Sequence, residues 1–199
     1  MRSAKNILVI NGNPARERIT LSSSLAHAYA EGAKEAGHSV RQVNLADLTF
    51  DPILHEGYAK DQPLEPDLKS LREEMIKADH WVLSFPIWLS LPPALVKGFM
   101  ERTLTRGFAF DYDGQYPVAL PALKGKTIRV IITCGAPAFI YHWFSGQPTS
   151  KALRTIFKLC GMKVKGIDVF GPVTDHSPHL LKSYARYIDC VFRRGKNER

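Results

Sequence analysis

Short, continuous apolar runs alternate along this chain with longer stretches whose apolar residues recur every three or four positions. Ile7-Leu8-Val9-Ile10 is apolar throughout, as a strand covered on both faces must be. It stops at Asn11-Gly12-Asn13-Pro14, a turn signal. Leu21, Leu25, Ala28, Tyr29, Ala33 and Ala36 follow at helical spacing, with Gly37 as the stop. Residues 39–45 alternate like a second strand, and residues 46–66 carry Pro52, Pro63 and Pro66 and read as a surface excursion. Leu68, Leu71, Met75 and Ile76 begin another helix, residues 81–85 form a third strand stopped at Pro86, and Pro92-Pro93 opens a helix with Ala94, Leu95, Phe99 and Met100 on its apolar face. Residues 128–133 and 164–170 complete the strands, and residues 153–159 and 180–192 the helices. The pattern predicts an open, doubly wound α/β fold: a five-stranded parallel sheet in the order 2-1-3-4-5 with helices on both faces.

A length of 199 residues with 45% hydrophobic content suits one domain spanning the chain. No segment approaches the 18 or so consecutive apolar residues of a membrane span. The apolar run after the basic start is too short for a signal peptide, so the expectation is a cytoplasmic protein without membrane insertion. The net charge is +8, part of it in residues 193–199, which read as a solvated basic tail. No aromatic-interleaved basic stripe accompanies that charge, so nucleic acid is not an expected partner. A basic field also draws in anionic cofactors. Cys134, Cys160 and Cys190 show no CxxC, which points away from disulfides and zinc, and two of them lie within apolar patterns, so buried thiol is the default reading. His176-Ser177-Pro178-His179 has no third ligand at metal-site spacing and reads as a loop.

In an open parallel sheet, ligands bind beyond the carboxyl ends of the strands, where the strand order reverses. Three segments of unusual composition would meet there: 11–22, 86–92 and 134–146. In the first, Thr20, Ser22, Ser23 and Ser24 cluster at the start of a helix, where hydroxyls, unpaired amides and the helix dipole favour a phosphate, with Arg16 or Arg18 adding charge. Neither GxxxxGK[ST] nor GxGxxG is present, which disfavours ATP hydrolysis and the usual dinucleotide crevice. The second segment, Phe85-Pro86-Ile87-Trp88-Leu89-Ser90-Leu91, offers apolar groups and backbone amides of the kind an isoalloxazine ring needs. In the third, Gly135 lets backbone approach a ligand closely.

Phe85-Pro86-Ile87-Trp88, followed by Pro93-Ala94-Leu95-Val96-Lys97-Gly98-Phe99-Met100-Glu101-Arg102 and by Gly107-Phe108-Ala109-Phe110, resembles the signature of the flavodoxin-like NAD(P)H:quinone oxidoreductases. The resemblance runs from Ile7 to about Val173. It implies the flavodoxin-like fold, a bound FAD or FMN, NADPH or NADH as co-substrate, and ping-pong hydride transfer to a quinone or similar electrophile. It also implies a homodimer with active sites at the interface. Carried over by position, Asn13, Arg18, Thr20, Leu21 and Ser22 would hold the flavin phosphate. Pro86, Ile87, Trp88 and Leu89 would run along the ring, while Thr133, Cys134, Gly135 and Ala136 would supply amides to its pyrimidine edge. Tyr141 and His142 are the expected proton donors. A regulatory subunit similar to those of potassium-efflux systems, and a one-electron carrier of the flavodoxin type, are the alternatives from other functional classes.

Overall fold

The apolar runs do form the sheet. In the computed structural model, which describes residues 4–57, 60–143, 145–173 and 178–198, the chain passes through β1 (Asn6–Asn11), α1 (Leu21–Glu35), β2 (Ser39–Asn44), a 3-10 turn (Leu45–Asp47), α2 (Pro66–Lys77), β3 (His80–Pro86) and α3 (Ala94–Thr103). An antiparallel hairpin, β4 (Phe110–Asp113) and β5 (Tyr116–Ala119), comes next. The remaining elements are β6 (Thr127–Thr133), a short α4 (Ala138–Trp143), α5 (Pro148–Leu159), β7 (Lys163–Phe170) and α6 (Pro178–Lys196). The parallel sheet has the order β2-β1-β3-β6-β7, which is the expected 2-1-3-4-5 once the hairpin is set aside. The hairpin and α4 are additions to the expected elements. Gly114-Gln115, the two-residue loop between paired Asp113 and Tyr116 with Gly114 at φ 60, is the local hairpin signal, but these strands are half-exposed or exposed and carry no apolar run. No helix among the described residues is long and apolar enough to cross a membrane.

Alternate residues of each central strand feed two cores. Leu8, Ile10, Trp81, Leu83, Phe85, Val130 and Ile132 pack under α2, α3 and α5 through Leu71, Met75, Phe99, Leu153 and Phe157. Ile7, Val9, Val82 and Ile131 face Leu25, Tyr29 and Ala33 of α1 and Val191 of α6. Burial on both faces is why these strands read as unbroken apolar runs rather than alternating ones. Excursion 46–65 is fixed by Arg102, which is 1% exposed. Its guanidinium donates to both carboxylate oxygens of Glu65 (3.0 and 3.1 Å), to the Asp51 carbonyl (2.5 Å) and to the Pro63 carbonyl (2.8 Å). A buried charge needs such pairing, so the arginine that closes the sequence motif anchors the long excursion.

The helices α1 and α6 meet at two glycines. A Cβ at Gly32 would run into the Phe192 carbonyl, and one at Gly195 into the Tyr29 carbonyl. This contact corrects the expectation of a loose basic tail: α6 continues through Lys196, and Glu198 beyond it is 4% exposed. The Glu198 carboxylate accepts from the Tyr29 hydroxyl (2.7 Å), and its main-chain oxygen lies 3.2 Å from His38 Nε2. Since the Tyr29 proton goes to Glu198, its oxygen accepts from His80 Nε2 (3.1 Å), leaving His80 Nδ1 to accept from Thr127 Oγ1 (2.7 Å). His80 is therefore neutral and wholly buried at the amino ends of the strands.

Two outcomes follow from this packing. Gly195→Ala should cost about 1–3 kcal/mol by forcing the helices apart, measured as a fall in the urea midpoint. Burial lowers the His80 pKa from 6.5 to about 4, against the opposing pull of Glu198. Between those values the unfolded chain binds a proton that the folded chain refuses, so stability falls as pH drops through that window. Glu31, Asp51, Glu65 and Asp111, with pKa values lowered from 4.5 or 3.8, lose their contributions at more acid pH than the 7-to-5 range in which His80 acts. The urea midpoint should decline from pH 7 to pH 5, and less steeply in His80→Gln.

Candidate functional site

Three loops leave the carboxyl ends of β1, β3 and β6, and each is tied to the next strand by one backbone hydrogen bond. The Gly12 amide donates to the Ser84 carbonyl (2.7 Å), the Ile87 amide to Thr133 (2.7 Å) and the Cys134 amide to Phe170 (2.9 Å). Gly12 is required by proximity, because a Cβ there would overlap the Val96 side chain and come within 3.3 Å of Phe85 Cβ.

Asn13 organises the first loop. It is 7% exposed. Its Nδ2 donates to Thr20 Oγ1 (3.0 Å) and Ser22 Oγ (2.8 Å), and its Oδ1 accepts from the Ala15 amide (3.0 Å). Thr20 is the N-cap of α1, with Ser23 completing a reciprocal capping box. Ser23 and Ser24 spend their amides on Thr20, but those of Leu21 and Ser22 have no protein acceptor among the described residues. Two donors at the positive end of a helix dipole, beside the exposed Arg18, form an anion seat.

The second loop makes a tight turn over residues 88–91, in which Trp88 and Leu91 exchange amide-to-carbonyl bonds at 2.9 Å. Leu89 and Ser90 take φ values of 49 and 66, left-handed backbone that costs a side-chain-bearing residue about 1–3 kcal/mol. In the third loop, Cys134 is buried with Sγ 3.1 Å from the Ala136 carbonyl. Gly171 presses against it so closely that a Cβ there would come within 2.7 Å of the sulfur. Burial raises the Cys134 pKa and pushes that of Cys160 up to about 11.

Between these loops and α6 lies a cleft of about 1000 Å³. It gathers eight of the expected residues: Asn13, Arg18, Thr20, Leu21, Ser22, Pro86, Trp88 and Thr133. Ile87 instead packs on the core, Cys134 is buried, and Leu89 points to solvent at 98% exposure. Gly135 and Ala136 are exposed at a bend, and the Ala136 side chain lines no part of the cleft. The structure places the two expected proton donors outside its lining as well. Tyr141 is 4% exposed, with its hydroxyl 3.0 Å from both the amide and the hydroxyl of Ser150; His142 is half-buried, edge-on to the Tyr141 ring. His176 falls outside the described residues.

Known proteins share this fold. A family model described as "Flavodoxin-like fold" matches residues 5–187. An uncharacterized NAD(P)H oxidoreductase of Haemophilus influenzae is 27% identical over 186 residues, covering 91% of this chain and 88% of the relative. An FMN-dependent NADH:quinone oxidoreductase of Listeria innocua is 30% identical over 198 residues, covering 86% of this chain and 89% of the relative. The chain belongs to the flavodoxin-like NAD(P)H:quinone oxidoreductase family. In shape, it superposes on the NAD(P)H:quinone oxidoreductase from Methanothermobacter marburgensis with a TM-score of 0.81 at 20% identity, over 99% of this chain and 100% of that one, a likeness of fold.

What sequence reasoning missed in this flavodoxin-like chain is the far wall of the cleft: Val173 and, on α6, Tyr184, Ala185 and Ile188. The helix was legible from its periodicity. That its amino-terminal half borders the cleft follows only from the way α6 packs on α1. The thiols provide a direct check. Cys134 and Cys160 are buried and Cys190 is exposed, so Ellman's reagent at pH 8 should label one thiol per chain rapidly. Two fast thiols would show Cys134 open to the cleft.

Proposed function

We propose that this oxidoreductase binds a flavin in the cleft and carries hydride from NAD(P)H to a quinone or related small electrophile in a ping-pong cycle. The observation that carries the reading is the first turn of α1. A buried Asn13 locks the Thr20 and Ser22 hydroxyls, while the Leu21 and Ser22 amides, near Arg18 in the cleft lining, have no protein acceptor among the described residues. Those groups suit a terminal phosphate. We assign the cofactor as FMN rather than FAD, with the Listeria relative, named FMN-dependent, in support. When bound, the flavin accepts and returns a hydride; the protein's part is to hold and exclude.

In this reading Pro86 and Trp88 flank the ring, and the backbone of residues 134–136 faces its polar edge. Thr133, 3% exposed, closes the floor. The Tyr141 phenol is engaged by Ser150, and no proton donor is assigned, since neither Tyr141 nor His142 lines the cleft. Ile19, Leu89, Phe139 and Trp143 expose large apolar surfaces. Exposed apolar side chains on the segments that follow β1, β3 and β6 suit an interaction surface, and a second copy of the chain is the occupant we assign to them.

Protein loaded with FMN should show flavin absorption bands that bleach on anaerobic addition of NADPH or NADH and recover with a quinone. Absence of uptake would overturn the reading. Thr20→Glu, which sets a carboxylate against the phosphate, should weaken FMN binding by at least about tenfold. Unchanged affinity would show that the phosphate sits elsewhere.

A further inference from the structure

The first turn of α5 carries two buried hydroxyls that reach into two different loops of the cleft. The Thr149 side chain, 0% exposed, donates Oγ1 to the Ser90 carbonyl at 2.6 Å. Ser150, 3% exposed, offers its amide and hydroxyl to the Tyr141 phenol. The N-cap residue Gln147 makes no side-chain cap, so Tyr141 fills that role from the preceding helix. One helical turn therefore ties the 88–91 loop to the segment that follows β6.

The tie to Ser90 falls where the backbone most needs support. Ser90 and its neighbour Leu89 are both left-handed although neither is glycine. A strained pair of this kind persists only where its surroundings over-determine it. The Leu89 side chain is almost wholly exposed in the single chain, so packing within the chain does not hold it. Among the described residues, the turn's own two backbone bonds and the Thr149 hydroxyl are the hydrogen bonds that fix residues 88–91. The same turn sets the direction of Trp88, whose side chain lines the cleft at 53% exposure.

We infer that Thr149 is a positioning residue for the reaction: its hydroxyl holds the strained turn that presents Trp88 as a wall of the flavin cleft. Thr149 lines no part of the cleft itself and acts through the Ser90 carbonyl. The inference rests on the flavin reading above and adds to it a residue far from Trp88 in sequence. It also gives the Tyr141–Ser150 contact a purpose, since that contact seats the turn of α5 from which Thr149 reaches.

The test compares Thr149→Val, which keeps the shape and removes the hydroxyl, with Thr149→Ser, which keeps the hydroxyl. Amide hydrogen exchange of the flavin-free protein reads the turn directly. In Thr149→Val, exchange at Trp88 and Leu91 should accelerate by about tenfold while the β3 amides keep their rates. The FMN dissociation constant of the same variant should rise by about tenfold. In Thr149→Ser both should stay within about twofold of the parent. Parent-like behaviour of Thr149→Val overturns the inference. An equal defect in both variants also overturns it, by assigning the effect to the lost methyl packing. If Thr149→Val does not fold, Thr149→Ala takes its place with the same expectations. Failure of the parent to bind FMN would remove the flavin reading, and with it the role in the reaction. The exchange rates at Trp88 and Leu91 would still judge the tie on its own.

Discussion

Three backbone hydrogen bonds set the geometry on which the cleft depends: Gly12 to Ser84, Ile87 to Thr133 and Cys134 to Phe170. Each extends the parallel ladder one step past the end of a strand, so that each loop begins at a fixed height on its neighbour. Parallel strands place all their carboxyl ends on one edge, and crossover helices return the chain to the other. Loops distant in sequence thus become adjacent without any long-range side-chain interaction. Side chains then refine what the backbone has fixed, as Asn13 does for the first loop and Thr149 for the second.

The two ends of the sheet are built on opposite physical terms. At the amino ends, Tyr29, His80, Thr127 and Glu198 form a buried polar cluster with its protons allocated, and α6 closes over it through the contact at Gly32 and Gly195. Partners are satisfied there, and the result is stability. At the carboxyl ends, the Leu21 and Ser22 amides lack protein acceptors among the described residues, Leu89, Ser90 and Gln147 hold left-handed backbone, and large apolar side chains face water. Strain and unsatisfied groups of this kind concentrate where a protein meets its ligands. The helix α6 joins both ends, one half lining the cleft and the other sealing the base.

The family motif divides into parts that do different work. Pro86 and Trp88 belong to the cleft. Arg102, at the motif's far end, is an internal strut that binds the Glu65 carboxylate and two carbonyls of excursion 46–65. Gly98 meets Pro52 of that same excursion so closely that a Cβ would overlap it. A motif read as one functional unit is thus half ligand site and half scaffold, joined because the scaffold half aims the helix that supports the other.

The sequence by itself determined the sheet, its order, the helices on either face and the hydroxyl-rich head of α1. These are consequences of burial periodicity and local capping, which act over a few residues and leave their mark there. It did not determine the hairpin, whose strands are too exposed to leave an apolar run, nor the fate of residues 193–198, whose charges hid a packed helix end. It placed Asn13, Thr20 and Ser22 together because seven to nine residues separate partners on one turn. It left Tyr141 among the proton donors and passed over Thr149 and the α6 wall altogether. Only the tertiary structure decided those, because a hydroxyl finds a carbonyl 59 residues away through the packing of α5 on the sheet, and no local pattern records where that packing will bring it.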